Sequence, residues 1–245
     1  MVEPIPVIIP VRNGLAYTRD CIASLREQNI KIDPWVIDNA STDGTTQWLR
    51  TNRVPATHHR PPLSVAASWN YALGCLFKTG AERVAVLNND TLFRPDFIRA
   101  LVEADLPFAT GVGVATLEQM NEPWTRADRD HPDFSAYLIR RDCWERVGPF
   151  DEGYKGAYCE DAEYHLRAWR RGVHLTCIGI PFWHAASGTL KSASKVEADA
   201  IQATADANRK RFNDLYGVEV GSEGYTRLFN EGTFGWETRA AKVKA

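Results

Sequence analysis

An α/β protein built on a single doubly wound mixed sheet with flanking helices is what this sequence predicts, on three observations. Short β-branched apolar runs alternate with segments whose apolar residues recur at helical spacing. Their order through the first part of the chain is strand, helix, strand, helix, loop, helix, strand, which calls for right-handed crossovers. Polar residues follow the strands directly: Arg12 and Asn13, Asp38 and Asn39, then Asn88, Asn89 and Asp90. Ligands of such sheets bind beyond the carboxyl ends of the strands, so the topology gathers these residues on one edge.

Ile5 to Val11 is nearly continuous in apolar and β-branched residues, as a strand buried on both faces requires. From Leu15 to Leu25, Ala16, Ile22, Ala23 and Leu25 keep a helical period, with Arg19, Asp20 and Arg26 outside it. Trp35 to Ile37 reads as the second strand. Ser41, Thr42 and Asp43 offer capping oxygens for a helix through Trp48 and Leu49. Pro55 to Pro62 reads as a proline-rich loop, Ser64 to Phe77 as the third helix, and Val84 to Leu87 as a strand. Beyond it, Phe108 to Leu117 and Phe134 to Ile139 are expected to be strands, Arg141 to Val147 a short helix, and Val173 to Ile178 a strand followed by a loop carrying His184. Glu197 to Leu215 is expected to be a terminal helix. The domain is expected to span 1–216, with a half at about 1–91 and a second at about 92–216. The tail, 217–245, carries Tyr225, Leu228, Phe229, Phe234 and Trp236, and is expected to pack on the domain or on a partner, including a second copy. Its end, Ala240 to Ala245, is expected to fray.

With 245 residues, 44% hydrophobic and 24% charged, the chain suits one large domain with a small appendage. A net charge of -2 excludes a generally basic nucleic-acid binder. The five cysteines form no Cys-x-x-Cys pair and leave an odd one over, which points to reduced thiols in a cytoplasmic setting and against a zinc knuckle. No apolar run approaches the roughly 20 residues that cross a bilayer, and the N-terminus lacks the layout of a signal peptide.

Four segments carry chemistry. They are Val7-Ile8-Ile9-Pro10-Val11-Arg12-Asn13, Val36-Ile37-Asp38-Asn39-Ala40-Ser41-Thr42-Asp43-Gly44, Leu87-Asn88-Asn89-Asp90-Thr91, and Cys159-Glu160-Asp161 opening an amphipathic helix, with His184 downstream. Each has a plain structural reading: Asp38 as a helix cap, Asn88 to Asp90 as a turn, His184 as a packed histidine, and Glu160 and Asp161 as acids favoured by a helix dipole. Taken in order, they closely resemble the inverting family-2 nucleotide-sugar glycosyltransferases of GT-A fold, from about Ile5 to about Thr189. The rhamnosyltransferase-like and galactofuranosyltransferase-like members are the nearest in motif form.

That resemblance implies roles. Asp161 is the base that takes the acceptor hydroxyl's proton, and Glu160 orients the loop or binds acceptor. Asp90 and His184 are ligands for Mn²⁺ or Mg²⁺ bridging the donor diphosphate, with Asn88 on the ribose or a metal-bound water. Asp38 accepts the imide N–H of uracil or thymine, with Ser41 and Asp43 left to cap. Pro10, Val11, Arg12, Asn13 and Asn89 line the nucleotide. Arg60 and Ser64 meet phosphate, although Arg60-Pro61-Pro62 replaces the glycine-rich stretch many relatives have there. Trp124, Tyr154 and Tyr158 are aromatics for stacking on an acceptor. The reaction implied is transfer of a sugar from a UDP- or dTDP-sugar to a hydroxyl of a glycan, a protein or a modified DNA base. Two rivals stand beside it. A sugar-nucleotide pyrophosphorylase needs a glycine-rich loop that Arg12-Asn13-Gly14-Leu15-Ala16 does not provide, and the other rival is a silent nucleotide- or carbohydrate-binding module.

Overall fold

A computed structural model describes residues 3–185 and 195–230. Eight strands form one sheet in the order β3-β2-β1-β4-β7-β6-β8-β5. The strands are β1 (Ile5–Val11), β2 (Ile32–Asp38), β3 (Ala56–His58), β4 (Arg83–Leu87), β5 (Thr91–Leu92), β6 (Phe108–Val114), β7 (Ala136–Arg140) and β8 (Thr176–His184). The helices are α1 (Leu15–Arg26), α2 (Thr45–Thr51), α3 (Val65–Lys78), α4 (Phe97–Glu103), α5 (Leu117–Asn121), α6 (Arg141–Val147), α7 (Glu160–Arg170), α8 (Lys195–Tyr216) and α9 (Glu223–Asn230). β1, β2, β3 and β4 are parallel, while β7 runs antiparallel between β4 and β6. That antiparallel insertion makes the sheet mixed, as expected.

The predicted elements are present, with four differences. The proline-rich stretch contains β3, a three-residue edge strand, which prolines on both sides hide from a propensity reading. Residues beyond Val114 leave the strand for α5, whose Thr116 and Gln119 form a capping box. The helix after Asp38 starts at Thr45, later than Ser41 to Asp43 suggested. His184 is not in a loop: β8 runs to His184, paired with Thr91 of β5. β5, α4 and α9 are further elements.

Two apolar layers flank the sheet. On one side Val7, Ile9, Leu25, Phe97 and Phe182 pack with α1 and α4. On the other, Trp69, Phe108, Phe134, Tyr137, Phe150 and Tyr164 make an aromatic layer under α3 and α7. Phe150 stacks on Tyr164 at 4.0 Å and 20°, a contact of the kind that adds about 0.5–1.5 kcal/mol beyond area burial. It fixes α7 against the sheet and so sets where the helix N-terminus lies. A third cluster joins Tyr154, Cys159, Leu166 and Phe212 to Tyr225, Leu228 and Phe229, so the start of the tail packs on the domain. Phe234, Trp236 and the expected fraying of Ala240 to Ala245 lie outside the described residues, as do Ala186, Ser187 and Gly188. Among the described residues, no helix is long and apolar enough to cross a membrane. All five cysteines are free thiols.

Candidate active site

The carboxyl ends of the parallel strands come level. Register pairs Val11 of β1 with Asp38 of β2, and Asp38 with His58 of β3. The turn after β1 holds Asn13 at φ 61, where its N–H donates to Ser41 Oγ at 2.8 Å and its Oδ1 accepts from Thr42 N at 2.8 Å. Asp43 accepts from Leu15 N at 2.9 Å and Thr45 N at 3.1 Å, so one carboxylate serves the N-termini of both α1 and α2.

Asp38 is 1% exposed and is not left free by Ser41 and Asp43. Its Oδ1 accepts from Ser41 N at 3.0 Å; its Oδ2 accepts from Thr46 Oγ1 at 2.5 Å and lies 2.9 Å from His58 Nδ1. Burial alone would raise its pKa, but the hydrogen bonds from Ser41, Thr46 and His58 outweigh it and hold the carboxyl below the usual range. By sequence His58 reads as one more structural or solvent-exposed histidine, because the short strand that presents it is concealed between prolines.

Asn89 has a structural part rather than an open one. It is buried, and its Nδ2 donates to Asn13 O at 3.3 Å and Thr18 Oγ1 at 3.0 Å, tying the end of β4 to the β1–α1 turn. Gly14, at φ +75, meets the same amide: a Cβ there would lie 3.3 Å from Asn89 Nδ2. Asn88 is half-buried, its backbone held by Ser135 O at 2.8 Å and Thr91 Oγ1 at 2.6 Å. Arg12 and Arg60 are exposed near this edge, Pro10 is half-buried and Val11 is buried. Ser64 caps α3, accepting from Ala67 N at 3.2 Å.

The two expected metal ligands do meet. Asp90 Oδ1 and His184 Nε2 are 3.4 Å apart, and Ala185 N donates to Asp90 O at 3.0 Å. Two ligands each about 2.1 Å from one ion stand about 3.0 Å apart at a right angle and about 3.4 Å apart near the tetrahedral angle. A carboxylate oxygen beside an imidazole nitrogen is also a donor set suited to Mn²⁺ or Mg²⁺. Among the described residues no group of three or more His, Cys, Asp or Glu side chains forms a metal cage. The pair fits an ion whose remaining ligands come from substrate or water.

Glu160 and Asp161 open α7 after two non-glycine residues at positive φ, Tyr158 (80°) and Cys159 (72°). Glu160 is 6% exposed; burial first, and the neighbouring Asp161 second, push its pKa up to about 8. Asp161 is half-buried. Its pKa is also raised by burial, with Asp133 adding to the shift, while N–H donation from Ala162 at 2.7 Å to Oδ1 opposes it. Both carboxyls are thus pushed up by burial, and each disfavours ionisation of the other, so the pair resists carrying two negative charges at once. Asp133, on the approach to β7, had no signal in the sequence; the fold alone brings it near. Burial pushes the Cys159 thiol up to about 11, in keeping with a packing residue.

The expected acceptor aromatics divide. Tyr154 is 1% exposed and packs in the third cluster beneath Arg211, so it offers no open face for stacking. Trp124 is half-buried, packed on the first layer, with Nε1 3.4 Å from Asp96 Oδ2. The open ring on this loop belongs to Tyr158, 36% exposed and two residues before Glu160.

Residues 7–162 match the family described as Glycosyl transferase family 2. The chain belongs to that family. This glycosyltransferase is 27% identical over 188 residues to the uncharacterized proteins Rv1525 of Mycobacterium tuberculosis and Mb1552 of Mycobacterium bovis, covering 69% of either chain in each case. Its fold is similar to that of a mannosyltransferase from Pyrobaculum calidifontis solved with GDP-Man and Mn²⁺, at 17% identity and TM-score 0.54, covering 98% of this chain and 84% of that one. It is likewise similar to S. aureus TarS residues 1–349 in complex with UDP, at 16% identity and TM-score 0.57, covering 86% and 72%. Against a longer TarS chain it spans 46% of that chain's length. The architecture of this glycosyltransferase is thus the GT-A fold.

Proposed function

We propose that this glycosyltransferase is a divalent-metal-dependent, inverting enzyme that moves a sugar from a UDP- or dTDP-sugar to an acceptor hydroxyl. The observation that carries the reading is the convergence of Asp90 and His184 to 3.4 Å at the strand edge. These two residues would hold Mn²⁺ or Mg²⁺, which when bound neutralises charge developing on the departing diphosphate.

The chain's own residues supply the rest. Asp161, acting as a carboxylate beside Glu160, accepts the acceptor's O–H proton. The acceptor oxygen then bonds to the anomeric carbon as the bond to the diphosphate oxygen breaks with its electron pair. Attack from the face opposite the leaving group inverts the anomeric centre. Glu160, whose protonated form burial favours, would in that form donate its O–H to an acceptor oxygen, and Tyr158 offers an exposed aromatic face two residues away.

On the nucleotide side, Arg12 and Arg60 lend positive charge to a diphosphate, and the backbone of Pro10 to Asn13 lines the nucleoside. The movable partner of Asp38 is His58, whose side chain is 27% exposed on an edge strand. When His58 swings away, Oδ2 is free to accept the imide N–H of uracil or thymine. Thermal shift with UDP, dTDP and GDP, with and without Mn²⁺, tests the donor, and acceptor profiling with the donor so found tests transfer. UDP or dTDP should stabilise the protein most, and only with metal; a preference for GDP, or indifference to metal, defeats the reading.

A further inference from the structure

We propose that Asn208 of α8 is a positioning residue for the acid pair, clamping the Lys155–Cys159 turn that aims Glu160 and Asp161. The inference rests on the catalytic reading of that pair. Asn208 lies beyond residues 7–162, the stretch that matches the family.

A single side chain engages four backbone groups of the turn. Asn208 Nδ2 donates to the carbonyls of Lys155 at 2.8 Å, Ala157 at 2.9 Å and Tyr158 at 3.0 Å, while Oδ1 accepts from Lys155 N at 3.1 Å. The residue is 3% exposed. An amide has two N–H groups, so three carbonyls share them. No other neutral side chain is both a two-hydrogen donor and an acceptor at this length.

The turn needs holding because of its backbone. Tyr158 and Cys159 are non-glycine residues at φ 80° and 72°, and such conformations cost about 1–3 kcal/mol each unless their surroundings enforce them. The strained pair immediately precedes Glu160, so any relaxation there reorients the first turn of α7. The other end of the loop is held in the same manner by Asn70 of α3, which donates to Phe150 O at 2.9 Å and accepts from Phe150 N at 2.8 Å. Within the turn, Val65 N donates to Gly156 O at 2.8 Å. Asn208, from α8, reaches the strained end itself, at Tyr158 O.

The test compares wild type with Asn208→Ala and Asn208→Asp in the full chain; the second keeps the shape but turns a carboxylate toward three carbonyl oxygens. Turnover is read as UDP release from UDP-glucose and dTDP release from dTDP-rhamnose with Mn²⁺, binding as UDP affinity, and the turn as amide hydrogen exchange over 157–162. Both variants should lose about 10- to 100-fold in kcat, the scale expected of an ångström-level misplacement. Donor KM and UDP affinity should stay within about twofold of wild type, and exchange in the turn should quicken. Unchanged kcat in a folded variant, a parallel loss of kcat and donor affinity, or unchanged exchange would each overturn the role. Turnover retained by Asp161→Asn would instead sink the catalytic reading. If wild type turns over neither donor, the exchange measurement still decides the clamp.

Discussion

His184 Nε2 faces Asp90 Oδ1 at 3.4 Å because β8 runs on to His184 and pairs it with Thr91. The antiparallel register sets a histidine beside a carboxylate that ends the Asn88-Asn89-Asp90 turn. Neither residue alone suggests more than a packed polar side chain; the proposed metal role rests on their adjacency at the carboxyl edge of β4.

Metal dependence is the first consequence. EDTA should abolish sugar transfer and Mn²⁺ or Mg²⁺ should restore it. Asp90→Ala should weaken UDP binding when Mn²⁺ is present and leave metal-free binding little changed, as read by calorimetry. Full activity in EDTA removes the bridging ion, whereas metal dependence that survives unchanged in His184→Ala removes only the histidine.

The acid pair makes a sharper division. Asp161→Asn keeps the shape and deletes the proposed base, and loss of a general base typically costs about 10² to 10⁴ in rate. Glu160→Gln imitates the protonated form that burial favours, the Glu160 pKa being pushed up to about 8, so transfer should survive largely intact. Initial rates at pH 7 with saturating donor check this. If the glutamine variant is the dead one and the asparagine variant is active, the base assignment is reversed.

Stability should respond to the same group. A carboxyl whose pKa rises from the ordinary 4.5 to about 8 on folding binds its proton more tightly in the folded chain. Between those values the unfolded chain ionises freely and the folded one does not, so Glu160 contributes a destabilisation that grows with pH and levels off above about 8. Glu160→Gln lacks it. Its thermal midpoint should exceed wild type by a margin widening from pH 5 to pH 8, by several degrees, since about 1 kcal/mol moves Tm by about 2–4 °C in a domain of this size. A constant difference across that range contradicts the assignment of the proton.

Asp38 holds the fold and, in the proposed reading, also selects the donor. Asp38→Ala strands the Ser41 N–H, the Thr46 hydroxyl and His58, and should cost about 1–3 kcal/mol, visible in urea denaturation. Asp38→Asn, milder in shape, should narrow the preference for UDP and dTDP over GDP in thermal shift with Mn²⁺. Wild type stabilised equally by GDP and UDP would confine Asp38 to its structural contacts.

Much was legible in the sequence because it is local. The apolar run of Ile5 to Val11 coincides with β1, Arg141 to Val147 with α6, and the amphipathic period after Cys159 with α7. Hydrophobic period is written into consecutive residues, and the polar residues at strand ends follow from topology. Short or bracketed elements were not legible: β3 lies among prolines and β5 has two residues, so neither carries a period.

What the sequence by itself determined is the fold, the sheet edge where the polar strand-end residues gather and the candidate chemistry of Asp90, Asp161 and His184. Tertiary structure alone decided which candidates are open. It closed Asn89 and Tyr154 into packing, filled Asp38 with Ser41, Thr46 and His58, and brought Asn208 onto the turn before Glu160. The reason is physical: burial and hydrogen-bond partnership depend on residues far apart in the chain meeting in space, which no local pattern encodes.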